Sequence, residues 1–239
     1  MNAVVRSYRP RFSPQGYWNQ VEPAAVQQAL RQQFTRWGRP ERFRVDNGAP
    51  WGSAGDWPTD LALWLIGLGV AMIWNPPRRP QDNGVIERSQ GTGKRWGEPH
   101  TCPDSYELQR RLDALDRIQR QVYPSIAGQS RWQAFPGLSH SERSYSKAWE
   151  RSHWDIEVVL AHLADYSARR HVDRQGQVSV YNRNHYIGKR YSGRDVYVVL
   201  DPLDREWVFT TQEGVQLRRK SAEEITHERI LKLQVTHRR

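Results

Sequence analysis

Apolar residues recur at helical spacing from Pro23 onward. Val26, Ala29, Leu30, Phe34 and Trp37 share one face, and Gly38 with Pro40 supplies a stop, so the pattern predicts an amphipathic helix. The run Arg42-Phe-Arg-Val45 predicts a short strand that ends in the turn chemistry of Asp46-Asn47-Gly48, which sets Asp46 at a strand's C-terminal end. Thr59 and Asp60 predict the cap and first turn of a second helix, with Leu61, Trp64, Leu65 and Leu68 as its buried stripe, and Val70 to Trp74 predicts the next strand. Three prolines and a glycine between Asn75 and Gly84 demand a loop. It leads into a helix over residues 85–96 that Gly91 and Gly93 weaken by about 1 kcal/mol each relative to alanine. Leu108, Leu112, Leu115, Ile118 and Val122 mark a further amphipathic helix, with Arg110, Arg111, Asp113, Asp116 and Arg117 facing outward.

Between Pro124 and Ser146 the periodicity gives way to Ser, Gly, Pro and isolated aromatics, as in a linker. A helix is expected near Trp154 to Tyr166. Beyond it, alternation in Val178–Tyr181, Val196–Leu200 and Trp207–Phe209, separated by turn signals, predicts about five short strands, enough for a small barrel. A last helix over Ala222–Leu233 precedes the basic tail His237-Arg-Arg239. The expected organisation is residues 1–123, then a linker and helix over 124–166, then a small β-barrel with C-terminal helix and basic tail over 167–239.

Charge adds a partner to this outline. The 36 basic residues exceed the 26 acidic ones, giving +10 at pH 7, and only five of the cations, at positions 94, 147, 189, 220 and 232, are lysine. Such a balance points to a polyanion, with nucleic acid first, and arginine's planar fork suits phosphates and guanine edges. The longest apolar stretch, Leu61 to Trp74, is broken by Gly67 and Gly69 and falls short of the ~18 residues of a membrane span. Residues Met1 to Arg11 show no apolar core of a signal peptide, so a cytoplasmic location is expected, with no membrane partner. One cysteine, Cys102, forms no intrachain disulfide, and His100 with Cys102 makes half a zinc site at most. Gly91-Thr-Gly-Lys94 is not a phosphate loop, because Arg88 stands where its first glycine belongs and Arg95 where Ser or Thr is required. Of the 11 tryptophans, Trp37, Trp64 and Trp74 sit at core spacing and read as packing residues.

The chemistry-bearing residues form one extended pattern: Asp46-Asn47-Gly48, then Pro76-Pro77-Arg-Arg-Pro80-Gln81-Asp-Asn83-Gly84-Val-Ile-Glu87-Arg88, then Thr92-Gly-Lys94. From about Val21 to Arg120 this resembles the DDE transposase and retroviral-integrase superfamily, in particular bacterial insertion-sequence transposases with an integrase core. The resemblance implies an α/β fold. It consists of a partial ribonuclease H-like integrase core, a mixed sheet with flanking helices, followed by a small all-β SH3-like barrel. It also implies a nucleoid-associated bacterial protein that acts on transposon-end and target DNA as a homo-oligomer.

In that family, phosphoryl transfer at a DNA backbone uses hard Mg2+ (or Mn2+) ions, which take carboxylate ligands. The resemblance assigns catalysis and metal binding to Asp46 and Glu87, which 40 residues separate. Lys94 follows Glu87 by seven positions, two helical turns on one face, and Arg88 and Arg95 repeat the spacing. These three, with Arg183, Lys189 and Arg190 of the C-terminal region, are the expected DNA-binding residues, and Tyr181, Tyr186 and Tyr191 are interleaved among the latter.

The sequence departs from the family at one residue. No aspartate precedes Asp46, and Glu22 and Glu41 do not stand on a strand, so the first of the three family carboxylates has no counterpart. The expectation is an N-terminally truncated transposase fragment that is inactive alone. The alternative is a non-catalytic DNA-binding or regulatory remnant that occupies element ends or joins full-length multimers.

Overall fold

The structure, a computed structural model, describes residues 22–52, 56–76, 84–138 and 143–235. Along the chain run α1 (Pro23–Trp37), β1 (Arg42–Val45), α2 (Asp60–Gly67), β2 (Ala71–Trp74), α3 (Gly84–Gly97), α4 (Ser105–Gln121), α5 (Arg131–Ala134), α6 (Lys147–His153), α7 (Ile156–Ala164), β3 (Ala168–His171), β4 (Gln177–Val180), β5 (Arg183–Tyr186), β6 (Asp195–Asp201), β7 (Glu206–Thr210), β8 (Gln216–Ser221) and α8 (His227–Leu231). The protein is mixed α/β, and its described residues fall into two compact units. One holds residues 41–52, 56–76 and 147–235, the other 22–40, 84–138 and 143–146.

In the second of these, α1 buries Val26, Leu30 and Phe34 on the expected face. It ends where Gly38, at φ 77, donates its N–H to Phe34 O at 2.8 Å. The ring of Phe34 meets Tyr145 edge-on at 5.8 Å. Trp37 lies beneath the guanidinium groups of Arg36 and Arg120, 4.7 and 4.1 Å from the ring centre. Helix α3 continues through Gly91 and Gly93 despite their low propensity, and at Gly97 it packs on Leu112 and Leu115 of α4. Asp104 caps α4 by accepting from the N–H of Glu107 at 2.8 Å. Glu107 in turn receives Arg110 and Arg111, whose hydrogen bonds hold its carboxyl down at about 2. In the stretch expected as a linker, Ser130 and Gln133 form a reciprocal capping box that starts the single turn of α5. Ser130 itself is buried, which a solvated linker would not do.

The first unit is built on a β-α-β connection. Strands β1 and β2 pair in parallel, Phe43 opposite Met72 and Val45 opposite Trp74. Parallel neighbours require a crossover, and α2 supplies it. The expected buried stripe understates α2: every residue from Asp60 to Gly67 is buried, because α7 and α8 as well as β2 pack against it. Thr59 caps it as expected, accepting from Ala62 N.

The C-terminal strands form a four-stranded antiparallel sheet in the order β3-β6-β7-β8 and a separate hairpin β4-β5. Val178, Val180, Val196, Val198, Leu200, Trp207 and Phe209 are buried as the alternation predicts, each side chain contributing about 1.5–3 kcal/mol. Tyr181 does not continue β4. With Asn182 it makes the two-residue hairpin turn, both at left-handed backbone angles (φ 46 and 61), between Val180 and its partner Arg183. Its ring stacks on Trp57 at 5.5 Å and its hydroxyl donates to Pro58 O at 2.8 Å. Burial pushes that phenol well above its usual range. Trp57 also stacks on Trp207 at 4.7 Å, so residues beside α2 complete the core of the C-terminal sheet.

The last helix is shorter than the 222–233 expected. Glu224, 1% exposed, accepts from the Trp207 indole N–H at 2.6 Å and faces His185 Nε2 at 3.3 Å, which holds residues 222–225 in a turn until Thr226 caps α8.

Candidate active site and DNA-facing surface

Asp46 stands where the sequence places it, directly after β1, and is exposed. Asn75 N donates to Val45 O at 2.9 Å and Asn47 Nδ2 donates to Asn75 O at 2.6 Å, which locks together the two C-terminal ends of the parallel pair. The described part of the loop that follows is closed by hydrogen bonds. Gly48 and Gly52 exchange backbone hydrogen bonds at 2.7 and 2.9 Å, Thr59 Oγ1 donates to Pro50 O, and the Trp74 indole donates to Trp51 O. Asp46 is thus a surface carboxylate on a fixed backbone at the end of a strand, the position where α/β sheets present reactive groups. The role of Asn47 was not legible from the turn motif, which reads equally well as an isolated bend.

Glu87 lies on α3, in the other unit from Asp46, and its side chain is outside the described residues. Among the described residues no group of three or more His, Cys, Asp or Glu is placed to hold a metal ion. Asp46 alone offers one hard ligand and not a coordination set, so the described side chains do not by themselves fit a Mg2+ centre.

On α3, Arg88, Lys94 and Arg95 are all exposed, the last two in the final turn, where cations also complement the helix dipole. The basic surface of the C-terminal sheet divides in two. Arg183 is held by Glu223 and approaches Glu224 at 3.9 Å. Arg169 pairs with Asp195, and Arg170 with Asp56 at 2.8 Å while covering Trp57 at 4.9 Å. Arg219 is shared by Asp201, Asp204 and Glu206. These arginines are already neutralised.

Arg174, Lys189, Arg190 and Arg194 are exposed and make no ion pair with the described residues. Their loops are knit together: a side-chain carbon at Gly176 would sit 2.6 Å from Gly188 C and from Lys189 N. Val172 N donates to Arg194 O, Gly193 N to Val172 O, and Arg194 N to Tyr191 O. The outcome is a cationic corner on rigid backbone, with Arg190 lying over the Tyr191 ring at 4.7 Å. Of the cations expected to meet DNA, Lys189 and Arg190 sit in this corner and Arg183 does not.

No protein-family model matches the chain. Among solved structures, a chain of the simian T-cell lymphotropic virus intasome in complex with the PP2A regulatory subunit B56 gamma is similar at a TM-score of 0.39 and 14% identity. The match covers 79% of this chain and 58% of that one, so this protein spans less than two thirds of its length. A likeness at that level decides neither fold family nor function. Among the described residues no helix is long and apolar enough to cross a membrane.

Proposed function

We propose that this protein acts on DNA as part of a DDE-type transposition or integration system, with Asp46 and Glu87 as two of its carboxylates. The observation that carries the reading is Asp46. It is an exposed acid on a fixed backbone at the end of a parallel strand, inside Asp-Asn-Gly, and the Asn83-Gly84 and Glu87-Arg88 motifs follow at the start of α3. In this reading the β-α-β unit and α3 belong to a ribonuclease H-like core and the strands from β3 to β8 to an SH3-like module. The cationic corner and the α3 cations hold phosphates, and Mg2+ or Mn2+ is the metal that the two acids would serve. A homo-oligomer on the DNA is part of the same proposal.

Because the 239 residues offer no aspartate before Asp46, the chain by itself is expected to bind DNA without cutting it. The exposed cationic corner also fits a second reading, a non-catalytic binder of element ends or of complete transposase. Fluorescence anisotropy with a labelled duplex tests what the two readings share. Binding should weaken steeply with salt, the slope of log K against log salt being about −0.9 per phosphate contacted. Absence of binding at low ionic strength overturns both. A Mg2+-dependent nicking assay on the same preparation tests the expected inactivity: cleavage abolished by Asp46→Asn overturns it and rejects the non-catalytic reading.

A further inference from the structure

Trp96 ends α3 and meets Tyr123 edge to face, ring centroids 5.5 Å apart at 78°. The two residues nevertheless stay 40% and 48% exposed. The contact with Tyr123 fixes the indole plane without covering it. From Arg88 to Gly97 the helix carries three exposed cations, Arg88, Lys94 and Arg95, and no acid, and the indole directly follows Lys94 and Arg95, which make no ion pair with the described residues.

An oriented open ring beside cations is the chemistry that recognises a nucleobase together with its flanking phosphates, since every base has a π face to stack. Lys94 beside the ring goes against a protein-docking core, where lysine is depleted. A base inside a duplex presents only its edges, so only an unpaired nucleotide can use the ring. We infer that Trp96, braced by Tyr123, stacks an unpaired nucleotide of a DNA strand whose phosphates Lys94 and Arg95 hold. This rests on the reading that the protein engages DNA, and it specifies which part of the DNA: a single-stranded tail or a frayed end.

The test compares the full chain on two labelled probes of equal duplex length, one blunt and one with a short single-stranded tail. Trp96→Ala should lose about tenfold affinity for the tailed probe and less than about twofold for the blunt one, at every salt concentration, because stacking releases few counterions. Trp96→Leu, which keeps apolar bulk against Tyr123 but has no ring, should behave like Trp96→Ala, and Trp96→Phe should stay within about threefold of the parent. Lys94→Gln should instead flatten the salt slope on both probes. The inference is overturned by any of three results: no preference of the parent for the tail, equal losses on both probes, or a change of oligomeric state in Trp96→Leu with DNA binding intact. If the parent protein binds neither probe, the DNA reading falls and this inference with it, an outcome distinct from a failure confined to the tail.

Discussion

Gly67 and Trp154 touch with no room for a side chain between them: a methyl carbon at Gly67 would lie 2.2 Å from the Trp154 indole. That indole donates from Nε1 to Trp64 O at 2.9 Å, and Asp155 N donates to Gly67 O at 3.0 Å, so the end of α2 and the start of α7 share one close contact. Trp64 returns the arrangement by donating its own indole N–H to Glu150 Oε1 of α6.

Gly67→Ala should therefore destabilise the protein by about 1–3 kcal/mol, the cost of overpacking a filled core, despite alanine's better helix propensity. Denaturant unfolding checks it. Pairing the change with Trp154→Leu, which opens space, should recover part of the loss. An unchanged midpoint in the single variant would mean that α2 and α7 do not meet this way.

His162 gives the fold a pH dependence near neutrality. Burial holds its imidazole below the ordinary 6.5, with Asp165 opposing, and its Nε2 has no hydrogen-bond partner among the described residues. The unfolded chain thus binds a proton more readily than the folded one, and stability should fall as pH drops below about 6.5. Thermal melts at pH 7.5 and 5.5 should differ in the parent and differ less in His162→Gln. The depressed carboxyls of Asp56 and Asp195, held down by Arg170 and Arg169, act only at lower pH, where their protonation removes stability in its turn.

The division of the C-terminal cations makes a sharp prediction about DNA. Arg174→Gln, Arg190→Gln and Arg194→Gln should each weaken duplex binding and lower the salt slope by about 0.9. Arg183→Gln should do far less, because its charge is already met by Glu223 and Glu224. Equal effects from all four would mean that the ion pairs open when DNA arrives.

Asp46→Asn should leave the melting temperature within about a degree, since an exposed carboxylate contributes little to stability; Glu87→Gln is the companion substitution at the second proposed carboxylate. Isothermal titration with Mn2+ should show binding in the parent that either substitution weakens tenfold or more. Heat signals unchanged in both variants would remove these residues from any metal site.

Much of this was written into local pattern. α1, β1, β2 and α3 lie within a residue or two of their periodic and turn signals, α4 begins three residues before Leu108, and Thr59 caps α2 as its chemistry dictates. What escaped depends on long-range packing. The apolar face of α2 extends right round it because α7 and α8, some ninety and more residues on, cover the side that periodicity leaves open. The late start of α8 comes from Glu224 turning inward to the Trp207 indole, and the turn at Tyr181 from its stack on Trp57. At the site, Asp46 was visible from its motif. That Arg183 is neutralised and Arg174 and Arg194 are not could be learned only from which acids stand beside them.

The first unit is assembled from two pieces of chain with all of α3, α4 and α5 between them. A ribosome therefore delivers α2 long before the helices that enclose it, and Trp57 some 150 residues before Trp207. Until residues 147–235 emerge, an apolar helix has nowhere to go, the condition in which nascent chains need a holdase or aggregate. Chains stalled short of Trp154 should be cut by protease near α2, and completed chains should not. Closure of the unit then waits for residues 147–235, and its timing is set by the long sequence separation of its contacts and not by the ease of forming any one helix.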